Sequence, residues 1–214
     1  MSARDEVLRR VRRALSDVPA QEAPADVCVP RRYARGGGQQ PERGRVELFA
    51  ARLSDYEARV TRAPSTRARE AVQEICAGLG IERLLIPADL PLEWRPTALT
   101  LVSDTGLGLS ELDGVDAVLT GCAAAIALTG TLILDSGPGQ GRRALSLLPD
   151  RHICVVIAQD IVDTVAEGLE AVASAARAGR PLTLISGPSA TSDIELRRVD
   201  GVHGPRHLAV LILE

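Results

Sequence analysis

Two stretches of the chain gather residue types that can hold an anion or move a proton. The first is Thr129-Gly130-Thr131, which follows a run of small residues from Leu119 to Leu128 and opens a candidate strand. Two hydroxyls this close can donate to an anionic oxygen, and the glycine lets the backbone turn and approach a ligand. Small residues serve tight helix–sheet packing equally well. The second is Ser186-Gly187-Pro188-Ser189-Ala190-Thr191-Ser192-Asp193-Ile194-Glu195, directly after the apolar run Leu182 to Ile185. Gly187, Ser189 and Ser192 offer N–H and O–H donors to a phosphate or carboxylate. Asp193 and Glu195 can act as base, acid or nucleophile, or simply cap and solvate a loop. In Gly201-Val202-His203-Gly204-Pro205-Arg206, His203 is bracketed by glycines, which makes it flexible and accessible for proton transfer, although a lone histidine in a turn serves structure equally well; Arg206 is a permanent planar fork for an anion.

Such turns act only if regular elements carry them to one place. Residues 3 to 16 read as an amphipathic helix, capped by Ser2, with Val7, Leu8, Val11 and Leu15 on one face and arginines on the other. Prolines and the Gly36-Gly37-Gly38 run make Asp17 to Arg45 a linker, so this helix is expected to dock on a neighbour or a second chain. Residues 1–45 are therefore read as an extension and 46–214 as the globular domain. Periodicity predicts a helix over Val46 to Arg62, and a second from Ser65 or Thr66 to Leu79, ended by Gly80. Apolar bursts of strand length follow at 83–87, 99–103, 115–120, 131–135, 152–157, 182–185 and 208–213. A short helix is expected near 142–147 and a long one over Asp160 to Ala178, with Ile161, Val165, Leu169, Val172 and Ala176 on its stripe. Continuous rather than alternating strands predict an α/β fold with a largely parallel, doubly wound sheet covered on both faces. Ligands of such sheets bind beyond the carboxyl ends of strands.

Composition closes several routes. All 25 basic residues are arginine, so Schiff-base chemistry and a P-loop lysine are excluded. A net charge of −3 gives no basic footprint for nucleic acid. No apolar run reaches the roughly 20 residues of a membrane helix, and the charged start lacks a signal-peptide core; the cytoplasm is the expected location. Cys28, Cys76, Cys122 and Cys154 lie dozens of residues apart, unlike the close spacing of zinc or cluster sites, and read as buried free thiols. His152, His203 and His207 make no metal cluster by sequence: His203 and His207 are four apart, but Gly204 and Pro205 between them argue against a helix that would align the two.

The Thr129-Gly130-Thr131 turn, Leu148-Pro149-Asp150-Arg151-His152 leading into a strand, Ser186-Gly187-Pro188-Ser189 with Ser192-Asp193-Ile194-Glu195, and Gly201-Val202-His203-Gly204-Pro205-Arg206 together resemble the LUD-domain family. The resemblance runs from about Val46 to residue 214. It implies a fold similar to the ribose-5-phosphate isomerase, glucosamine-6-phosphate deaminase and CoA-transferase group. It also implies a part in oxidising L-lactate to pyruvate with two partner proteins that hold the iron–sulfur clusters. One departure stands out: the family's acidic residue before Thr-Gly-Thr is Leu128 in this chain.

Three functions fit these residues. The chain is a subunit of a lactate-oxidising assembly, without cofactor of its own, offering a ligand pocket or a docking surface. Otherwise it is a free-standing isomerase or acyl/CoA transferase for a small anionic metabolite, or an anion-binding regulatory module. Where the chain does chemistry, Glu195, Asp193 and His203 are the candidate catalytic groups; as a regulatory module it binds without catalysis. Thr129, Gly130, Thr131, Gly187, Ser189, Ser192, Gly204 and Arg206 are the candidate ligand-binding residues, and none is a metal ligand.

Overall fold

A computed structural model describes residues 2–19, 21–23, 25–30, 41–188 and 204–214. The chain divides into two compact units, Met1–Ala34 and Arg35–Glu214. In the first, helix α1 (Ala3–Ala14) is started by a capping box: the Ser2 side chain accepts from the Asp5 backbone N–H, while the Asp5 carboxylate accepts from the Ser2 N–H. No residue of α1 is buried.

The second unit is built on a six-stranded sheet in the order β1 (Arg59–Ala63), β10 (His207–Leu213), β7 (Arg151–Ile157), β4 (Ala117–Gly121), β2 (Arg83–Pro87), β3 (Thr100–Asp104). Every pair in it is parallel. One face carries helix α3 (Ala68–Gly78), whose Val72, Ile75 and Cys76 pack on Leu84, Ile86, Leu119, Ile153, Val155 and Leu211. The other face meets helix α2 (Glu42–Asp55) and a second sheet, through Phe49, Leu53, Ala125 and Leu132 against Cys154, Val156, Val210 and Ile212. Further along, Leu112 of the short helix α4 (Leu109–Asp113) and Leu145 cover Leu85 and Val118. The α/β class and the parallel main sheet read from the apolar bursts are thus present.

The second sheet is smaller and mixed, in the order β8 (Ile161–Val162), β5 (Ala124–Ile126), β6 (Thr131–Leu134), β9 (Thr183–Ile185). Helices α5 (Val165–Ala171) and α6 (Ala173–Arg177) lie on its outer side, where Val172 packs against Ala124, Ile126 and Ile133. Gly168 in α5 allows that approach, since a Cβ there would sit 2.7 Å from Ile126 Cγ1.

Two helices expected from periodicity are shorter than the pattern suggests. The expected helix over 46–62 stops at Tyr56, because Glu57 takes a left-handed turn (φ 63°) and the chain leaves as β1 to pair with β10. Val60 therefore packs from a strand. The helix expected over 160–178 begins only after Thr164, whose side chain and Glu167 form a capping box, and it breaks again at Val172. Ile161 is buried in β8 while Val165 and Leu169 face outward, so the expected stripe is split between two elements.

One polar pair crosses the interior of the main sheet. Thr120 Oγ1 and His152 Nε2 lie 2.8 Å apart on neighbouring strands β4 and β7, both fully buried. His152 Nδ1 has no hydrogen-bond partner among the described residues. Burial brings the pKa of His152 down from 6.5 to about 4, so the ring is neutral in the folded protein. The unfolded chain takes up a proton below pH 6.5 and the folded one resists it until about 4. Stability from this residue is therefore full above pH 6.5 and falls through that window, by roughly 3 kcal/mol at 1.4 kcal/mol per unit. The His152→Gln variant is expected to lack this slope. Urea denaturation of both proteins from pH 7 to 4 measures the difference; parallel curves would disprove the assignment.

Candidate functional site

Strand β6 carries a candidate site at each end. At its start, Thr129 Oγ1 lies 2.7 Å from Thr131 Oγ1, which lies 2.7 Å from Ser186 Oγ. The pairing of β6 with β9 sets this up: Leu132 lies opposite Ile185, which brings Thr131 beside Ser186. Among the described residues the three hydroxyls share two hydrogen bonds, which leaves one O–H proton for a ligand, and the chain can reverse its direction of donation. Thr131 is buried and Thr129 half-exposed, so the cluster runs from the interior toward solvent.

The turn glycines fit this cluster to α2. Gly130 has φ 61°, and a Cβ on it would come within 2.8 Å of Arg52 Cβ. Gly187 has φ 81°, and a Cβ on it would meet Tyr56 Cβ at 2.5 Å. Both glycines are required by conformation and by space. The fold thus brings four of the sequence-predicted residues, Thr129, Gly130, Thr131 and Gly187, to the C-terminal end of one helix.

The other predicted residues separate into two groups. Ser189, Ser192, Asp193, Glu195 and His203 lie outside the described residues. Gly204 and Arg206 lie before the amino end of β10, and Arg206 Nε and Nη2 each donate to Asp150 at 2.6 Å. That ion pair holds the Asp150 carboxyl below its usual range and raises the arginine. An anion at Arg206 has to compete with Asp150 for the guanidinium. A Cβ on Gly204 would meet no described atom within 4 Å, unlike one on Gly187.

At the far end of β6 stands a loop that sequence reasoning passed over: Asp135-Ser136-Gly137-Pro138-Gly139-Gln140-Gly141. Its signal is a glycine at every second position, the mark of a backbone that must bend tightly, and Gly139 and Gly141 both have φ 69°. The buried Asp135 organises it. Its carboxylate accepts from Gly137 N at 2.9 Å, Gln140 Nε2 at 2.9 Å and Arg180 Nη2 at 2.7 Å. Its own N–H donates to Gln140 Oε1 at 2.7 Å. The loop is then tied to the carboxyl ends of the parallel strands. Gly121 N donates to Gly139 O at 2.8 Å, Gly139 N donates to Asp89 beyond β2 at 3.1 Å, and Arg142 forks onto Asp104 at the end of β3. This rim is where open parallel sheets hold ligands. The pairs Asp135–Arg180 and Asp104–Arg142 span 45 and 38 residues, so no local pattern announces them.

The thiols Cys122 and Cys76 are not poised for reaction. Cys122, just past β4, is half-buried, and hydrogen bonding with the neighbouring Cys154 thiol, together with desolvation, pushes its pKa well up. Burial raises Cys76 to about 12. Both stay protonated at neutral pH. Cys28 is exposed, unlike the buried thiol expected there. Among the described residues, no group of three or more His, Cys, Asp or Glu side chains is placed to hold a metal ion, and no helix is long and apolar enough to cross a membrane.

The two turn glycines that the sequence treats alike should respond differently. Gly187→Ala is expected to cost about 1–3 kcal/mol through the Tyr56 clash and the left-handed backbone, and Gly204→Ala less than about 1 kcal/mol. Thermal unfolding of the two variants gives the comparison, and equal losses would contradict the packing described.

Comparison with known proteins places this architecture. The LUD-domain family model matches residues 109–213. Lactate utilization protein C of Deinococcus radiodurans is 53% identical over 170 residues, covering 78% of this chain and 79% of that protein. The uncharacterized protein YkgG of Escherichia coli is 30% identical over 236 residues, covering all of this chain and 99% of that protein. A crystal structure of a DUF162 family protein from Deinococcus radiodurans matches with a TM-score of 0.73 at 42% identity, covering 82% of this chain and 100% of that one.

Proposed function

Because the chain belongs to the LUD-domain family, we propose that it serves L-lactate utilization, as the subunit without a redox centre in an assembly that oxidises L-lactate to pyruvate. The observation that carries this reading is the 53% identity, over most of both chains, with a protein named lactate utilization protein C. Turning a 2-hydroxy acid into a 2-oxo acid removes two electrons and two protons, and a carrier must accept the electrons. In this reading the carrier is the iron–sulfur clusters of two partner proteins, and the chain itself brings no cofactor. Its contribution is a place for a small anion and a surface for its partners.

The hydroxyl cluster Thr129–Thr131–Ser186 is the subsite this reading gives to the anion. Linked hydroxyls can turn a donor toward a carboxylate and keep their other bonds, so binding there leaves no buried group unpaired. Ser189, Ser192, Asp193, Glu195 and His203 follow Ser186 and Gly187 in the chain and are the candidates for completing it.

The test combines cells and purified proteins. Expressed in a host that lacks its own lactate utilization protein C, the chain should restore growth on L-lactate. Mixed with the two iron–sulfur proteins, it should support lactate-dependent reduction of a dye that no component alone supports. Thr131→Val, which removes the middle hydroxyl at nearly constant volume, should lower that rate about tenfold while circular dichroism shows the chain still folded, with a loss of about 1–3 kcal/mol in stability for the two broken hydrogen bonds. Failure to restore growth despite soluble expression would overturn the lactate reading. Turnover of lactate by the purified chain alone would overturn its place as a subunit without a redox centre.

A further inference from the structure

Helix α1 is fully formed yet buries none of its residues. Val7 is 59% exposed, Val11 47% and Leu15, just beyond its end, 56%, and together they make one apolar stripe. Around that stripe stand Arg4, Arg9, Arg10, Arg12 and Arg13; Glu6 pairs with Arg9 and Arg10, which leaves the helix basic. An apolar stripe that the Met1–Ala34 unit itself leaves exposed, on a helix already nucleated by its cap, marks an interaction surface.

The Arg35–Glu214 unit carries a surface of the opposite kind. A cavity of about 590 Å³ opens between the start of α2, β8 and the start of α5, lined among others by Glu42, Arg45, Val162, Asp163 and Glu167. Three carboxylates against one guanidinium make it acidic. Two exposed apolar side chains stand beside it: Leu128, whose N–H donates to Asp163 O, is 52% exposed, and Val165 is 40% exposed. The charge balance of the units follows the same division. Residues 1–34 hold seven arginines against five carboxylates, and residues 35–214 hold eighteen against twenty-three.

We propose that α1 of one copy docks on the surface around Leu128, Val162, Val165 and Asp163 of a second copy, so that two chains exchange helices reciprocally. The apolar stripe supplies the buried contact, and the flanking arginines face Glu42 and Asp163. A two-fold exchange repeats the contact, so a short helix interface counts twice. Opposite charges also steer the encounter and weaken with salt. The proposal is independent of the lactate reading, because its test uses neither lactate nor partner proteins.

Sedimentation of the full-length chain from about 1 to 200 µM should show a monomer–dimer equilibrium that weakens as salt is raised. Val11→Asp and Leu128→Asp are both at exposed positions, and each should raise the dissociation constant at least about tenfold while circular dichroism stays unchanged. Arg12→Glu and Asp163→Arg should each weaken the homodimer, and mixing the two variants should recover a heterodimer. A monomer throughout that range would overturn the proposal, as would a dimer indifferent to all four substitutions. Hydrogen-exchange protection of α1 that does not depend on concentration would place the helix on its own chain instead, and would overturn it equally.

Discussion

A parallel sheet has no face to give to water, and that condition governs the architecture of this protein. β4, β7 and β10 are buried along almost their whole length, on both sides. Each face therefore needs its own apolar cover. Helix α3 is enough for one side. On the other, α2 alone is too narrow, and the small sheet β8-β5-β6-β9 completes the layer with Ala125, Leu132 and Leu134. That sheet then has an outer face of its own, which α5 and α6 close. The hydroxyl cluster and the glycine loop both belong to this covering layer, at opposite ends of β6, a strand of four residues and so roughly 13 Å in length. A layer required by packing is also the layer that holds the candidate chemistry.

The sequence made the main sheet legible because its strands are short, unbroken apolar runs bounded by turn residues. His152 to Ile157 and Leu208 to Leu213 are of that kind, and each lies within one residue of an observed strand. Helix limits were less legible where a strand follows within reach of the same periodicity. Val60 continues the pattern of Phe49, Leu53 and Tyr56, but its burial comes from pairing with Val210, a residue 150 positions away. β5 was hidden for a different reason. Ala124-Ala125-Ile126 has no alternation and little bulk, and it becomes a strand because Leu132 and Ile133 lie opposite.

The candidate site was legible to the extent that local chemistry defines it. The Thr-Gly-Thr turn and Gly187 carry their signal in residue type, and the structure finds both pressed onto α2. Asp135 gave no such signal, since an aspartate after a strand reads as any turn residue until Arg180 and Gln140 close around it. Arg206 shows the converse: a free guanidinium in the sequence is a bound one in the fold, because Asp150 stands across from it. Distance along the chain, rather than subtlety of motif, separates what could be read from what could not.

The strand order has a consequence for how the molecule comes into being. β10 is the last of the six main strands in chain order, yet it sits between β1 and β7. While the polypeptide is being synthesised, β1 has no neighbour and β7 presents a bare edge until β10 has left the ribosome. Nascent chains of this kind hold unpaired strand edges for most of their translation, which is the condition that draws chaperones and invites aggregation. Newborn copies of this protein are accordingly more exposed to misassembly than its finished interior suggests, and slowing translation near the codons for β10 should lengthen that exposure.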